Sequence, residues 1–300
     1  MTQAIIRQKI VSDKDNKGIN MIYIINSTNN YISVIDSTQN SVVDSIIVGM
    51  SPYSITIDTN TNTAYVTHWI SNKVSVIDTI KNIVKATIPV GASPYVIAYS
   101  QLTNKIYTAN FNGNSISVAD VSANKVVDEI PVGKQPYGIA LNQVSHKAYV
   151  VNNGSKSVSV IDTIKNKVLE EIRVGDNPYN IALDITTNYV YVANSFSNNI
   201  SVIDANINKV VTDIPVSGGP YGITVDAKSK KIYTTNFNDN TISVIDARKN
   251  KVINTIPVGL NPLGAILNSS CEKLYVTNWV SSTISVIDTS TNRLIDTIPI

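Results

Sequence analysis

The chain has 300 residues, 43% apolar and 15% charged, with a net charge of +2 and no block of Lys or Arg. It can bury a large core, and its charge leaves no electrostatic footprint for DNA or RNA. One cysteine, Cys271, excludes a disulfide framework, a Cys-based zinc site and an iron–sulfur cluster.

No apolar run approaches the roughly 18 residues of a helical membrane span, so no membrane insertion is expected. Residues 1–7 show neither the apolar core nor the cleavage site of a secretory signal. From there on the chain repeats itself. Ser-Val-Ile-Asp or a near variant ends at Asp36, Asp78, Asp120, Asp162, Asp204, Asp246 and Asp288, always 42 residues apart. A Tyr recurs in the same register at Tyr23, Tyr65, Tyr107, Tyr149, Tyr191, Tyr233 and Tyr275. A Pro recurs at Pro52, Pro94, Pro136, Pro178, Pro220 and Pro262, followed by Tyr in all but the last.

Each copy holds four short apolar runs; in the copy opening at Pro136 they are residues 137–141, 148–152, 158–162 and 167–172. β-branched and aromatic residues between Asn, Asp, Gly and Lys turns read as strands, and no sustained 3.6-residue stripe marks a helix. The spacing predicts an all-β fold: a seven-bladed β-propeller, four antiparallel strands per blade, from a 42-residue repeat. Its blades run approximately 10–51, 52–93, 94–135, 136–177, 178–219, 220–261 and 262–300.

Within a blade the fourth run carries charges (Asp128, Glu129, Glu170, Glu171) and usually ends in Pro (Pro89, Pro131, Pro215, Pro257, Pro299), which places it at the outer edge. The first run, with Gly138, Ala140 and Gly222, is expected to line the crowded axis. The first copy departs from the pattern, with Ile10 and Val11 in the Pro and Tyr slots. Residues 4–6 align with residues 46–48, the end of an outer strand, and residues 298–300 fill the same slot at the other terminus. Residues 1–9 are therefore expected to add an edge strand to the last blade and close the ring.

The unit Pro-Tyr-x-Ile-Ala, Tyr-Val-x-Asn, Ser-Val-Ile-Asp, Ile-Pro-Val-Gly resembles the YVTN family of β-propeller repeats. Tyr-Val-Thr-Asn itself stands at residues 275–278, with variants at 107–110, 149–152, 191–194 and 233–236. The resemblance covers about 290 of the 300 residues. It implies a WD40-like ring of blades and a place at the cell surface, as in surface-layer proteins.

The recurring Asn (Asn26, Asn110, Asn152, Asn194, Asn236, Asn278) is read as a turn residue suited to left-handed backbone. The recurring Asp of the third run reads as a turn cap. Asp58, Asp184 and Asp226 also read as caps, in preference to a calcium or magnesium site.

Departures from the repeat carry the functional reading. His68 replaces the Asn in one copy and is followed by Trp69, whose equivalents are Phe111, Phe237 and Trp279, with Phe196 one residue later in its blade. These loops share a face with Tyr53, Tyr95, Tyr137, Tyr179 and Tyr221. The rings either pack over neighbouring blades or form a recognition surface for a protein, peptide or carbohydrate.

No catalytic residue, metal or cofactor is assigned. His146, the other histidine, falls on the opposite face from His68, and Cys271 reads as a surface thiol in a polar turn. The expectation is a monomeric, non-enzymatic binding or scaffold module. The alternatives are a propeller lyase or hydrolase using His68, and a structural component of a surface lattice.

Overall fold

Runs of β-branched residues punctuated by tight Asn-rich turns can pair only with their sequence neighbours, and each copy folds as an antiparallel meander. The computed structural model describes residues 10–14, 20–268 and 270–300, with side chains described from residue 21 onward. These form 28 strands in seven four-stranded sheets, each continuous in sequence. In the third blade Pro94–Ser100 pairs with Lys105–Asn110, which pairs with Ser115–Asp120, which pairs with Lys125–Pro131. The expected blade count, strand count and strand order all hold.

The two middle strands are buried almost throughout, and their side chains interlock with the next blade. Tyr149, Val158 and Val160 of the fourth blade pack with Ile181, Val190 and Ile203 of the fifth. Inner strands of neighbouring blades run side by side around the axis. They come close enough that a Cβ on Gly138 would lie 2.9 Å from the Tyr179 carbonyl oxygen, a contact only glycine avoids.

Outer strands are exposed except for one anchor apiece, such as Ile172, Ile214 and Ile256. The register of each outer pair shifts once: Val160 faces Glu170 and Ile161 faces Val168, leaving Leu169 bulged. The bulge and the terminal Pro blunt an edge that would otherwise offer unpaired backbone to another chain.

The ring closes through side chains. Tyr275, Ile284 and Val286 of the last blade pack with Ile22, Ile24 and Ile35 of the first. The outer strand of the last blade, Arg293–Pro299, comes from its own copy. The closing strand expected from residues 1–9 lies outside the described residues.

One expectation needs correction. The recurring Asn of the second strand does not adopt left-handed backbone. It is a buried strand residue whose Nδ2 donates across the turn to the third strand, as Asn110 does to Ser115 Oγ at 3.0 Å and Ser117 Oγ at 2.8 Å. Left-handed φ falls four residues later, at Asn30 (60°), Asn114 (52°), Asn198 (50°) and Asn240 (57°). Both positions favour Asn, one for its amide and the other for its backbone tolerance.

The Asp positions are caps as expected. Asp162 Oδ1 accepts the N–H groups of Ile164 and Lys165 at 2.9 and 3.0 Å. The Lys165 N–H, first among its neighbours, holds this carboxyl below the usual range. Asp226 accepts from the N–H groups of Lys228 and Ser229 at 3.0 and 3.1 Å, and Asp184 from that of Thr186 at 2.8 Å.

Candidate functional site: the aromatic mouth

Two sets of connections meet on one face of the disc, and backbone bonds pin them together. The N–H of Trp69 donates to Ser51 O at 3.3 Å, that of Phe111 to Ser93 O at 2.9 Å, and that of Trp279 to Asn261 O at 3.0 Å. Each loop between the second and third strands is thus held against the linker that leads into its own inner strand. The linkers in turn deliver the tyrosines that open the inner strands.

Those five tyrosines form a collar around the axis. Tyr53 stacks on Tyr95 with centroids 4.3 Å apart, and Tyr179 on Tyr221 at 4.5 Å. Tyr137 stands edge-on between the stacks, 5.3 Å from Tyr95 and 5.1 Å from Tyr179. Its hydroxyl meets those of Tyr53 and Tyr221 on the axis. Burial above all pushes the Tyr53 and Tyr137 hydroxyls well above their ordinary pKa, so they stay protonated. The seventh blade has Leu263 at the collar position and the first has Val11.

Around the collar stands a rim contributed one residue per blade: Ser27, Trp69, Phe111, Asn153, Ser195, Phe237 and Trp279. Phe111 lies 4.6 Å from Tyr95 and Trp69 6.3 Å from the same ring; Phe237 lies 6.3 Å from Tyr221 and 6.0 Å from Trp279. All four rim rings are half-buried. Blade order therefore sets two aromatic walls, Trp69–Phe111 on blades two and three, and Phe237–Trp279 on blades six and seven. Small polar residues separate the walls at both ends, Ser27 at one and Asn153 with Ser195 at the other. Between the walls lies a cavity of about 280 Å³ with no charged residue in its lining.

Nine of the eleven residues expected at this site are brought together. The other two are not. His68 is fully buried beneath the rim, with Nδ1 3.0 Å from Met50 O and Nε2 2.8 Å from Ser75 Oγ, so it presents no ring atom to the mouth. It fills the slot of the recurring Asn, which explains its burial. Phe196 is 77% exposed and makes no ring contact among the described residues, because the one-residue offset carries it outside the rim. Asn153, Ser27 and Leu263 were not singled out in the sequence; their signal is the loss of an aromatic from a position where other copies have one.

On the opposite face His146 sits in a turn with φ 54°. Cys271 is half-buried rather than a plain surface thiol, and burial raises its pKa, disfavouring the thiolate.

The sequence model of the YNCE-like β-propeller family matches residues 182–273, from the fifth blade into the seventh. Comparison of the sequence with curated proteins gives no match. Among solved structures, hydrazine synthase from Kuenenia stuttgartiensis aligns with a TM-score of 0.83 at 19% identity, over 97% of this chain and 99% of that one. A functionally unknown protein from Desulfotomaculum acetoxidans aligns at 0.81 and 17% identity, over 93% and 95% of the two chains. The dihydro-heme d1 dehydrogenase NirN, in complex with DHE, aligns at 0.72 and 12% identity, over 98% of this chain and 66% of that one. At such identities the likeness is one of fold. Repeat, topology and comparisons together identify the chain as a seven-bladed β-propeller, and its 42-residue unit is consistent with a YVTN-type repeat.

Proposed function

We propose that this propeller is a non-enzymatic recognition module that holds an uncharged partner in the aromatic mouth. The observation that carries this reading is the contiguous set of buried and half-buried rings around an uncharged cavity on one face. Clustered aromatics of this kind are enriched at recognition sites, where they supply large contact area at low entropic cost. The titratable groups in the lining are tyrosines, and burial moves Tyr53 and Tyr137 further from neutral pH, which suits contact better than proton transfer. Two of the structural neighbours are enzymes by name, and the likeness to them is one of fold. The bulged, proline-ended outer strands support a monomer.

The test is a peptide array and a glycan array probed with the wild-type protein and with the triple variant W69S/F111S/W279S. Hits lost in a variant that keeps a cooperative thermal transition would support the reading. Hits retained in the variant, or none in the wild type, would overturn it.

A further inference from the structure

We propose that the mouth takes a proline-rich, extended peptide segment lying across the disc between its two aromatic walls; the inference rests on the mouth being a binding site. The first argument is shape. The walls stand on blades two and three and on blades six and seven, and they mirror each other in sequence: Trp69 then Phe111, Phe237 then Trp279. Blade one, with Ser27, lies opposite blades four and five, with Asn153 and Ser195. A trough with two low ends admits a chain that enters over one blade and leaves over the other side.

The second argument is hydrogen bonding. Phenylalanine rings offer no donor or acceptor, and tryptophan offers one N–H donor. The wall side chains therefore present two indole donors and no acceptor, and neither indole N–H has a partner among the described residues. Two donors at the trough ends are already engaged: Ser27 Oγ donates to Pro52 O, and Asn153 Nδ2 to Asn177 Oδ1 at 3.0 Å and Pro178 O at 2.8 Å. The axial tyrosine hydroxyls bond one another.

A ligand for such walls should bring carbonyl acceptors and few donors. Proline has no N–H to leave unpaired, and a polyproline II chain needs no ladder partner. Its carbonyls can accept from the indoles while its rings lie on the aromatic faces, the mode by which aromatic grooves recognise proline-rich segments. A sugar would bury hydroxyl donors against walls that accept nothing, at a cost of roughly 1–3 kcal/mol for each group left unpaired. A charged peptide would find no counter-charge in the lining.

Trp69 and Trp279 are the only tryptophans in the chain, so fluorescence excited selectively at the indoles reports on the mouth. The wild-type protein is titrated with a proline decamer, a Gly-Ser peptide of equal length and cellohexaose, with calorimetry in parallel. A saturable response to the proline decamer alone is expected. In W279F, which keeps a ring and removes the indole donor, affinity should fall roughly tenfold, the equivalent of one hydrogen bond. Saturation by cellohexaose without the proline decamer would overturn the ligand class while leaving the mouth as a binding site. No response to the decamer at millimolar concentration would also overturn it, as would unchanged decamer binding in W69S/F111S/W279S.

Discussion

The Tyr275 hydroxyl of the last blade donates to the Ser37 carbonyl of the first at 3.3 Å, the bond that Tyr107 makes to Thr163 O between the third and fourth blades at 3.3 Å. Lys273 reaches Ser37 O and Asn40 Oδ1 as Lys147 reaches Ala205 O and Asn208 Oδ1. The closing interface is therefore chemically the same as an internal one. Tyr233 departs from this set: its buried hydroxyl has no partner, while Lys231 takes the Thr289 carbonyl at 2.7 Å.

Removing the two hydroxyls should therefore have different consequences. Tyr275→Phe should lower unfolding stability by about 1 kcal/mol, the typical net worth of a buried hydrogen bond. Tyr233→Phe should be neutral or stabilising, because it removes a buried polar atom that bonds nothing. Urea unfolding of the two variants side by side checks this; equal losses would show that the Tyr233 hydroxyl is bonded in solution.

His68 makes stability depend on pH in a window of its own. Burial first, and the Lys73 charge on the neighbouring third strand, hold its imidazole below the ordinary 6.5, against the opposing pull of the Met50 and Gly49 backbone. As pH falls through about 6.5 the unfolded chain takes up a proton that the folded chain refuses, so stability declines until the lowered folded value is reached. The carboxyls held low in the fold, such as Asp36 and Asp288, have an unfolded value of 3.8 and act at lower pH. The double variant H68N/K73S restores the Asn and Ser pairing seen at Asn110 and Ser115. Urea midpoints between pH 7.5 and 5 should fall for the wild type and stay nearly flat for the variant.

The fold was legible because seven in-register copies fix strand number, turn positions and outer edge at once. Proline at the end of the fourth run marked the rim without knowledge of packing. What the sequence did not reveal depends on relations between copies. Tyr53 and Tyr137 lie 84 residues apart and meet on the axis only because the ring has a definite radius. His68 looked like a loop residue because the Asn it replaces looked like one. Burial of that slot comes from the linker glycine and third-strand serine around it, and neither can be read from the position alone.

The linker glycine yields a further prediction. A Cβ on Gly133 would lie 2.7 Å from Cγ of Asn152, whose amide is locked to Ser157 and Ser159 at 3.2 and 2.8 Å. Gly133→Ala should cost about 1–3 kcal/mol through overpacking. Asn152→Ala alone should also destabilise by removing those bonds. The double variant should be more stable than the sum of the two losses, since the truncated side chain makes room for the new methyl. Additive losses in a denaturant-based double-mutant cycle would refute the steric coupling.

The outer strands divide into anchor and surface within a span of four residues. Ile172 is 6% exposed and turned into the space between blades, whereas the bulged Leu169 is 53% exposed. The anchor is the apolar side chain that ties this strand to the core; the rest of its hold is the backbone ladder to Ser157–Asp162 and the bond that the Ser157 hydroxyl donates to Glu171. Ile172→Ala should therefore cost ~2–4 kcal/mol, from lost transfer energy and the cavity left behind. Leu169→Ala should change stability by less than about 0.5 kcal/mol, although it removes the same number of carbon atoms. Guanidinium unfolding with unchanged slopes would isolate the difference in midpoint. A loss at Leu169 matching that at Ile172 would mean that the bulge packs against something, and that the outer edge is covered in solution.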